Sequence, residues 1–177
     1  MSPREEWYVT VEGIFPVVWH RFCVGRKVKP LYIELSNGSL QLMCGLNRNP
    51  NASFLAAIGK AGGRIVRVKH EVQPGHPQFE RPSGPSIVYY ECHVKIDGPY
   101  ADDPQDLPSD MGISRDLFRP NRWYLTKRRP EPFDAANFAA GVKTFLSWDL
   151  TDRCRIVGVE YEACLTDTNK ALDEGWL

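Results

Sequence analysis

In the stretch SIVYYECHVKI, residues 86–96, every second position near the centre is aromatic or ionisable: Tyr89, Glu91, His93 and Lys95. Alternate residues of a β-strand share a face, so these four line one side, while Val88, Tyr90, Cys92, Val94 and Ile96 line the other. A carboxylate, an imidazole and an ammonium side by side are groups that ligate a cation, move a proton or hold an anion. The same division recurs in RIVRVKHEV, where Arg67, Lys69 and Glu71 oppose Val66, Val68, His70 and Val72. It recurs again in GVEYEACL, where Glu160 and Glu162 oppose Val159, Tyr161, Ala163 and Leu165.

If these strands share a sheet, one surface collects Arg67, Lys69, Glu71, Glu91, His93, Lys95, Glu160 and Glu162. As a site, Arg67, Lys69 and Lys95 would hold an anion, while Glu91, His93, Glu160 and Glu162 would supply acid–base chemistry or metal ligation. As a plain solvated sheet face, the same residues would form cross-strand ion pairs contributing about 0.2–1 kcal/mol each. Placing the strand RIVRVKHEV beside SIVYYECHVKI, across the proline-rich connection between them, is the simplest pairing.

Over Glu91, His93 and Lys95, ECHVK is similar to the E-x-E-x-K strand of the triphosphate tunnel metalloenzymes, whose inward charges line a barrel and bind a metal and a polyphosphate. His93 stands where that strand has its middle carboxylate, the motif lies mid-chain, and the readable strands are too few to close a tunnel. What the resemblance implies is therefore an anionic ligand, with a divalent metal as the cofactor such a site would use.

Seven runs alternate with period two and are rich in β-branched and aromatic residues: EWYVTVEG, PLYIEL, LQLMCGL, RIVRVKHEV, IVYYECHVKI, RWYLTK and RIVGVEYEACL. In YLTKRR both faces turn polar at Lys127 and Arg128, so its orientation stays open. Two segments read as helices. NASFLAAIGKAGG has Asn51 as an N-cap and Gly62 or Gly63 to end it, and DAANFAAGVKTFLSWDL opens on Asp134 with Phe138, Val142, Phe145 and Leu146 along one face. A short third helix is expected in TNKALDEGW, stopped by Gly175, with Trp176 pinning it to the core.

The fold class expected from this order is α+β: one domain over residues 1–177, with a mainly antiparallel sheet of about five to seven strands and two main helices packed on one face. The halves echo each other faintly, helix then strand, without enough identity to make a repeat. Two connections, residues 73–86 and 97–121, each hold four prolines and are long enough to serve as lids over one face.

Twenty-two basic residues balance 22 acidic ones, so bulk charge points to neither nucleic acid nor an anionic membrane. The basic segment 115–129, interleaved with Phe118, Trp123 and Tyr124, has the composition of a nucleic-acid contact, but the aspartates at 97, 102, 103, 106 and 110 would neutralise it. The N-terminal residues lack a signal-peptide pattern and no apolar run approaches the roughly 20 residues of a membrane helix, so a cytoplasmic location is expected. The five cysteines form no C-x-x-C pair and read as reduced core thiols. KAGGR lies between a helix and a strand, the reverse of a phosphate-cradling loop.

The function expected from the residues is binding, with hydrolysis or transfer open, of a small anionic phosphate-containing ligand on the charged face. The alternatives are a protein-interaction module that uses the long loops to meet a partner or a second copy of the chain, and a nucleic-acid contact through residues 115–129.

Overall fold

The structure is a computed structural model and describes residues 4–80, 87–99, 111–149 and 153–173. In chain order the elements are β1 (Glu5–Glu12), α1 (Pro16–Gly25), β2 (Lys29–Leu35), β3 (Leu40–Leu46), α2 (Ala52–Lys60), β4 (Arg64–Val72) and α3 (Pro77–Glu80). They continue with β5 (Tyr89–Asp97), β6 (Met111–Asp116), β7 (Arg122–Arg129), α4 (Ala135–Asp149), β8 (Arg155–Asp167) and a 3-10 turn, Lys170–Asp173.

The strands form a closed antiparallel barrel in the order β1-β3-β2-β6-β7-β5-β8-β4. This corrects the expected α+β sheet with helices on one face. The difference is β6, the segment MGISRD inside the second proline-rich connection, which pairs with both β2 and β7 and so joins the two halves. With it the count is eight, a number at which a barrel interior is just wide enough to be filled by side chains or to hold one small ligand. Closure also removes the two exposed edges that an open sheet of seven strands would carry. The strand count was therefore no obstacle to a tunnel. β4 and β5 are not neighbours either, because β8 lies between them.

Each half runs through its four strands in the same spatial order, 4-1-3-2 and 8-5-7-6, so the faint echo in the sequence corresponds to a duplicated topology. Register shifts at Thr10/Val11, His70/Glu71 and Lys95/Ile96 interrupt the ladders. Such bulges bend and twist strands, which helps a sheet curl on itself.

The apolar cores lie outside the barrel, between its wall and the helices. Val9, Val11 and Leu42 pack against Trp19 and Cys23 of α1 and Phe54 and Ile58 of α2. On the other side Cys92, Val94, Ile96, Trp123 and Leu125 pack beneath Phe138, Val142 and Leu146 of α4. Both predicted helices form with their expected caps: Asn51 Oδ1 accepts from the Phe54 N–H at 2.9 Å, and Asp134 Oδ1 accepts from the N–H groups of Ala136 and Asn137, each at 2.9 Å. α1 was not foreseen. Its start, FPVVW, is β-branched and apolar, and what identifies it as a helix is Pro16 at the first turn and the buried pair Trp19 and Cys23, one turn apart.

The expected third helix is the short 3-10 turn; Gly175 and Trp176 lie outside the described residues, as do 81–86 and 100–110 of the proposed lids. Cys23, Cys44, Cys92 and Cys164 are buried free thiols and Cys154 is half-buried. Among the described residues no helix is long and apolar enough to cross a membrane.

Candidate functional site

Because helices cover the outer faces of the strands, the opposite, charged faces have nowhere to go but inward. All eight charged residues that strand alternation grouped together line one cavity inside the barrel, with a volume of about 140 Å³. That is on the order of ten times the space a single water needs. The expected catalytic set, Glu91, His93, Glu160 and Glu162, and the expected anion-binding set, Arg67, Lys69 and Lys95, are therefore brought together, on β4, β5 and β8. What differs from a solvated sheet face is burial: Glu91 and Glu162 are 1 % and 2 % exposed.

Two adjacent strands set the floor. Glu91 faces Glu162 across β5 and β8, and faces Arg128 across β5 and β7. The Arg128 guanidinium donates to Glu91 Oε1 from Nη2 at 2.8 Å and from Nε at 3.2 Å, and the Lys69 ammonium donates to Glu91 Oε2 and lies 2.5 Å from Glu71 Oε1. Burial pushes the Glu91 carboxyl up, but Lys69 and Arg128 outweigh it and hold the group well below the usual carboxylate range. Burial lowers Lys69, and Glu71 and Glu91 more than restore its charge, leaving it raised. Among the described residues no lysine or arginine forms an ion pair with Glu162. Burial, reinforced by Glu71, raises its carboxyl well above the usual range and favours the uncharged acid, while Gln73 Nε2 donates to its Oε1 at 3.4 Å. Two carboxyl groups in register on neighbouring strands thus have opposite protonation preferences.

His93 sits beside both. Its Nε2 is 3.5 Å from Glu91 Oε2 and 4.0 Å from Glu162 Oε2, and Nδ1 shares a hydrogen bond with Thr126 Oγ1 at 2.8 Å. Lys95 pairs with Glu160, and both side chains are only partly buried. Lys29, exposed at the start of β2, lies toward the opposite end of the barrel from the 3-10 turn.

At that other end Arg67 is held by Asp167, with Nε to Oδ1 at 2.9 Å and Nη2 to Oδ2 at 2.5 Å, and it also donates to the Tyr89 hydroxyl at 3.1 Å. Arg128 lies over the Tyr89 ring, 4.0 Å from its centroid. Asp173 enters from the 3-10 turn and reaches both arginines.

Arg128, Asp173 and Gln41 are parts of this interior that strand patterning did not single out. For Arg128 a signal existed: Trp123 and Leu125 are apolar and buried beneath α4, so Tyr124, Thr126 and Arg128 must face inward. For Asp173 no local pattern exists. His70 lies on the outer side as expected, stacked on Trp7 with ring centroids 3.9 Å apart.

Among the described residues no group of three or more His, Cys, Asp or Glu side chains is placed to hold a metal ion, because ammonium and guanidinium groups stand between the carboxylates. The basic segment 115–129 is divided by β6 and β7: Arg115 pairs with Glu34, Arg122 forms a two-point pair with Asp97 at 2.6 and 2.9 Å, and Arg128 turns inward.

Compared with models of known protein families, with curated proteins and with solved structures, the chain matches none.

Proposed function

We propose that the barrel binds a small, phosphate-bearing anion in its interior. The observation that carries this reading is the charge of the wall. Five cations, Lys29, Arg67, Lys69, Lys95 and Arg128, face the cavity together with Glu71, Glu91, Glu160 and Glu162. Glu162 favours its uncharged form, and Asp173 comes from outside the strands. With Asp167 and Asp173 counted, the five cations meet five charged carboxylates, Glu71, Glu91, Glu160, Asp167 and Asp173, and withdrawal of Asp173 leaves one cation in surplus. A low-dielectric enclosure with surplus positive charge favours an anion small enough to enter it. The inward charges on β5 also agree with the resemblance of ECHVK to a polyphosphate-binding strand, with no metal needed for the argument.

The ion pairs divide by burial. Lys69, Glu91 and Arg128 form a buried set whose disruption is costly, so they act as a rigid floor. Lys95 and Glu160 are partly exposed, and exposed pairs contribute only about 0–1 kcal/mol, so Lys95 can exchange Glu160 for a ligand oxygen at little cost. Lys95 and His93 are thus the groups that meet the ligand. If the ligand is an ester that is turned over, the Glu162 acid and the His93 imidazole are the pair able to deliver a proton to a leaving oxygen.

The test is isothermal titration with inorganic pyrophosphate at constant ionic strength. Hydrogen bonds to charged groups contribute about 1.5–3 kcal/mol, so Lys95→Gln should weaken binding roughly 10- to 150-fold. Absence of binding by the unaltered protein, or equal affinity in Lys95→Gln, overturns the proposal.

A further inference from the structure

We propose that Arg67, Arg128 and Gln41 form a phosphate-binding subsite that the protein's own Asp173 occupies. This rests on the interior anion-binding reading and locates one of its subsites. Asp173 Oδ1 accepts from Arg67 Nη1 at 3.0 Å and from Gln41 Nε2 at 3.2 Å, and Oδ2 lies 2.6 Å from Arg128 Nη2 and 2.8 Å from Arg67 Nη2. A carboxylate gripped by two guanidinium groups and an amide, and only 4 % exposed, occupies the position of a bound anion.

Three observations separate this from an ordinary structural ion pair. First, the carboxylate does not come from the barrel wall. It is delivered by four residues of 3-10 turn after the last strand, while the donors that grip it lie on β3, β4 and β7. The turn is tethered near the barrel by the Thr168 N–H, which donates to Val68 O at 3.1 Å, and by Asn169 Nδ2, which donates to Val66 O at 3.1 Å. Second, Arg67 keeps its two-point pair with Asp167 and Arg128 keeps Glu91, so withdrawal of Asp173 leaves neither guanidinium without a counter-charge. The site can therefore exist open.

Third, donor capacity exceeds what a carboxylate uses. Thr10, in register with Arg67 on β1, is buried and lines the same cavity, and its hydroxyl has no hydrogen-bond partner among the described residues. A phosphate brings three or more oxygens and more charge than a carboxylate, and guanidinium groups match its geometry. Asp173 is thus an internal competitor: a ligand reaching this subsite must displace it, and the apparent affinity is reduced by the fraction of molecules in which the turn is docked.

The experiment compares the full-length protein with Asp173→Ala and with Asp173→Asn, which keeps the shape and removes the charge. Thermal unfolding and titration calorimetry use inorganic phosphate and pyrophosphate, with acetate as the carboxylate control, all at fixed ionic strength. The expected result is a lower Tm in Asp173→Ala that phosphate restores more than it raises the Tm of the unaltered protein. Pyrophosphate should bind Asp173→Ala at least about tenfold tighter, and Arg67→Gln in the same background should abolish the gain. If Asp173→Ala does not fold, Asp173→Asn carries the same comparison. Pyrophosphate binding that is equal with and without the Asp173 carboxylate overturns this inference alone and leaves the interior site standing. Restoration by acetate as complete as by phosphate overturns the phosphate assignment. Binding by none of the proteins overturns the interior site and this subsite together.

Discussion

Glu91 and Glu162 are a matched pair for a stability experiment: the same residue, in register on neighbouring strands, almost equally buried, yet with opposite protonation preferences. Glu91→Gln removes the carboxylate that Lys69 and Arg128 share. Deleting one partner of a buried ion pair is destabilising by about 3–5 kcal/mol. Lys69 keeps Glu71 and Arg128 keeps Asp173, so the loss should lie at the low end, about 3 kcal/mol. For a chain of this size that corresponds to a Tm lower by roughly 6–12 °C.

Glu162→Gln replaces a carboxyl that already favours its uncharged form with a neutral group of the same shape, and the amide oxygen can still accept from Gln73. At neutral pH it should raise stability rather than lower it, because the variant has no proton to take up on folding. Urea unfolding at pH 7, with m-values compared to confirm a common unfolded state, measures both. Equal losses in the two variants, or a greater loss in Glu162→Gln, would refute the assignment of charge inside the barrel.

The same pair sets the pH dependence. Glu91 is held low, so its stabilisation is present above the ordinary glutamate range near about 4.3 and is lost as pH falls through its lowered value; Glu91→Gln should remove part of the acid-side decline. Glu162 is held high, so stability falls as pH rises from that range toward its raised value, and Glu162→Gln should flatten the fall in a pH series of unfolding curves. Asn51→Ala removes the α2 cap and should lower stability by about 1 kcal/mol without altering pyrophosphate titration, which equilibrium unfolding and calorimetry check together. Gly98 has φ +150° and a Cβ there would lie 2.5 Å from Arg153 O, so Gly98→Ala should be destabilising by about 1–3 kcal/mol; an unchanged Tm would show that this turn relaxes freely.

What was legible in the sequence is what backbone geometry imposes locally. A strand turns alternate side chains to opposite faces, so Glu91, His93 and Lys95 could be placed together, and apart from Cys92, Val94 and Ile96, without any knowledge of their neighbours. The caps Asn51 and Asp134 were legible for the same reason, since each satisfies backbone N–H groups within three residues of itself. β6 was not. MGISRD has only Met111 and Ile113 as apolar alternates, and it becomes a strand because β2 and β7 offer it backbone partners on both sides.

That one strand decides the meaning of every charged residue. In an open sheet Glu91 and Glu162 would be solvated, while in a closed barrel they are desolvated, and their protonation then depends on which cations lie within reach. The cations concerned come from β4 and β7, and Asp173 arrives from beyond β8, 106 positions from Arg67. Contacts at such separations are set by strand order and closure. Local patterning determined which residues face together; only the tertiary structure determined that they face inward, because enclosure is a property of the whole ring of strands and of no strand by itself.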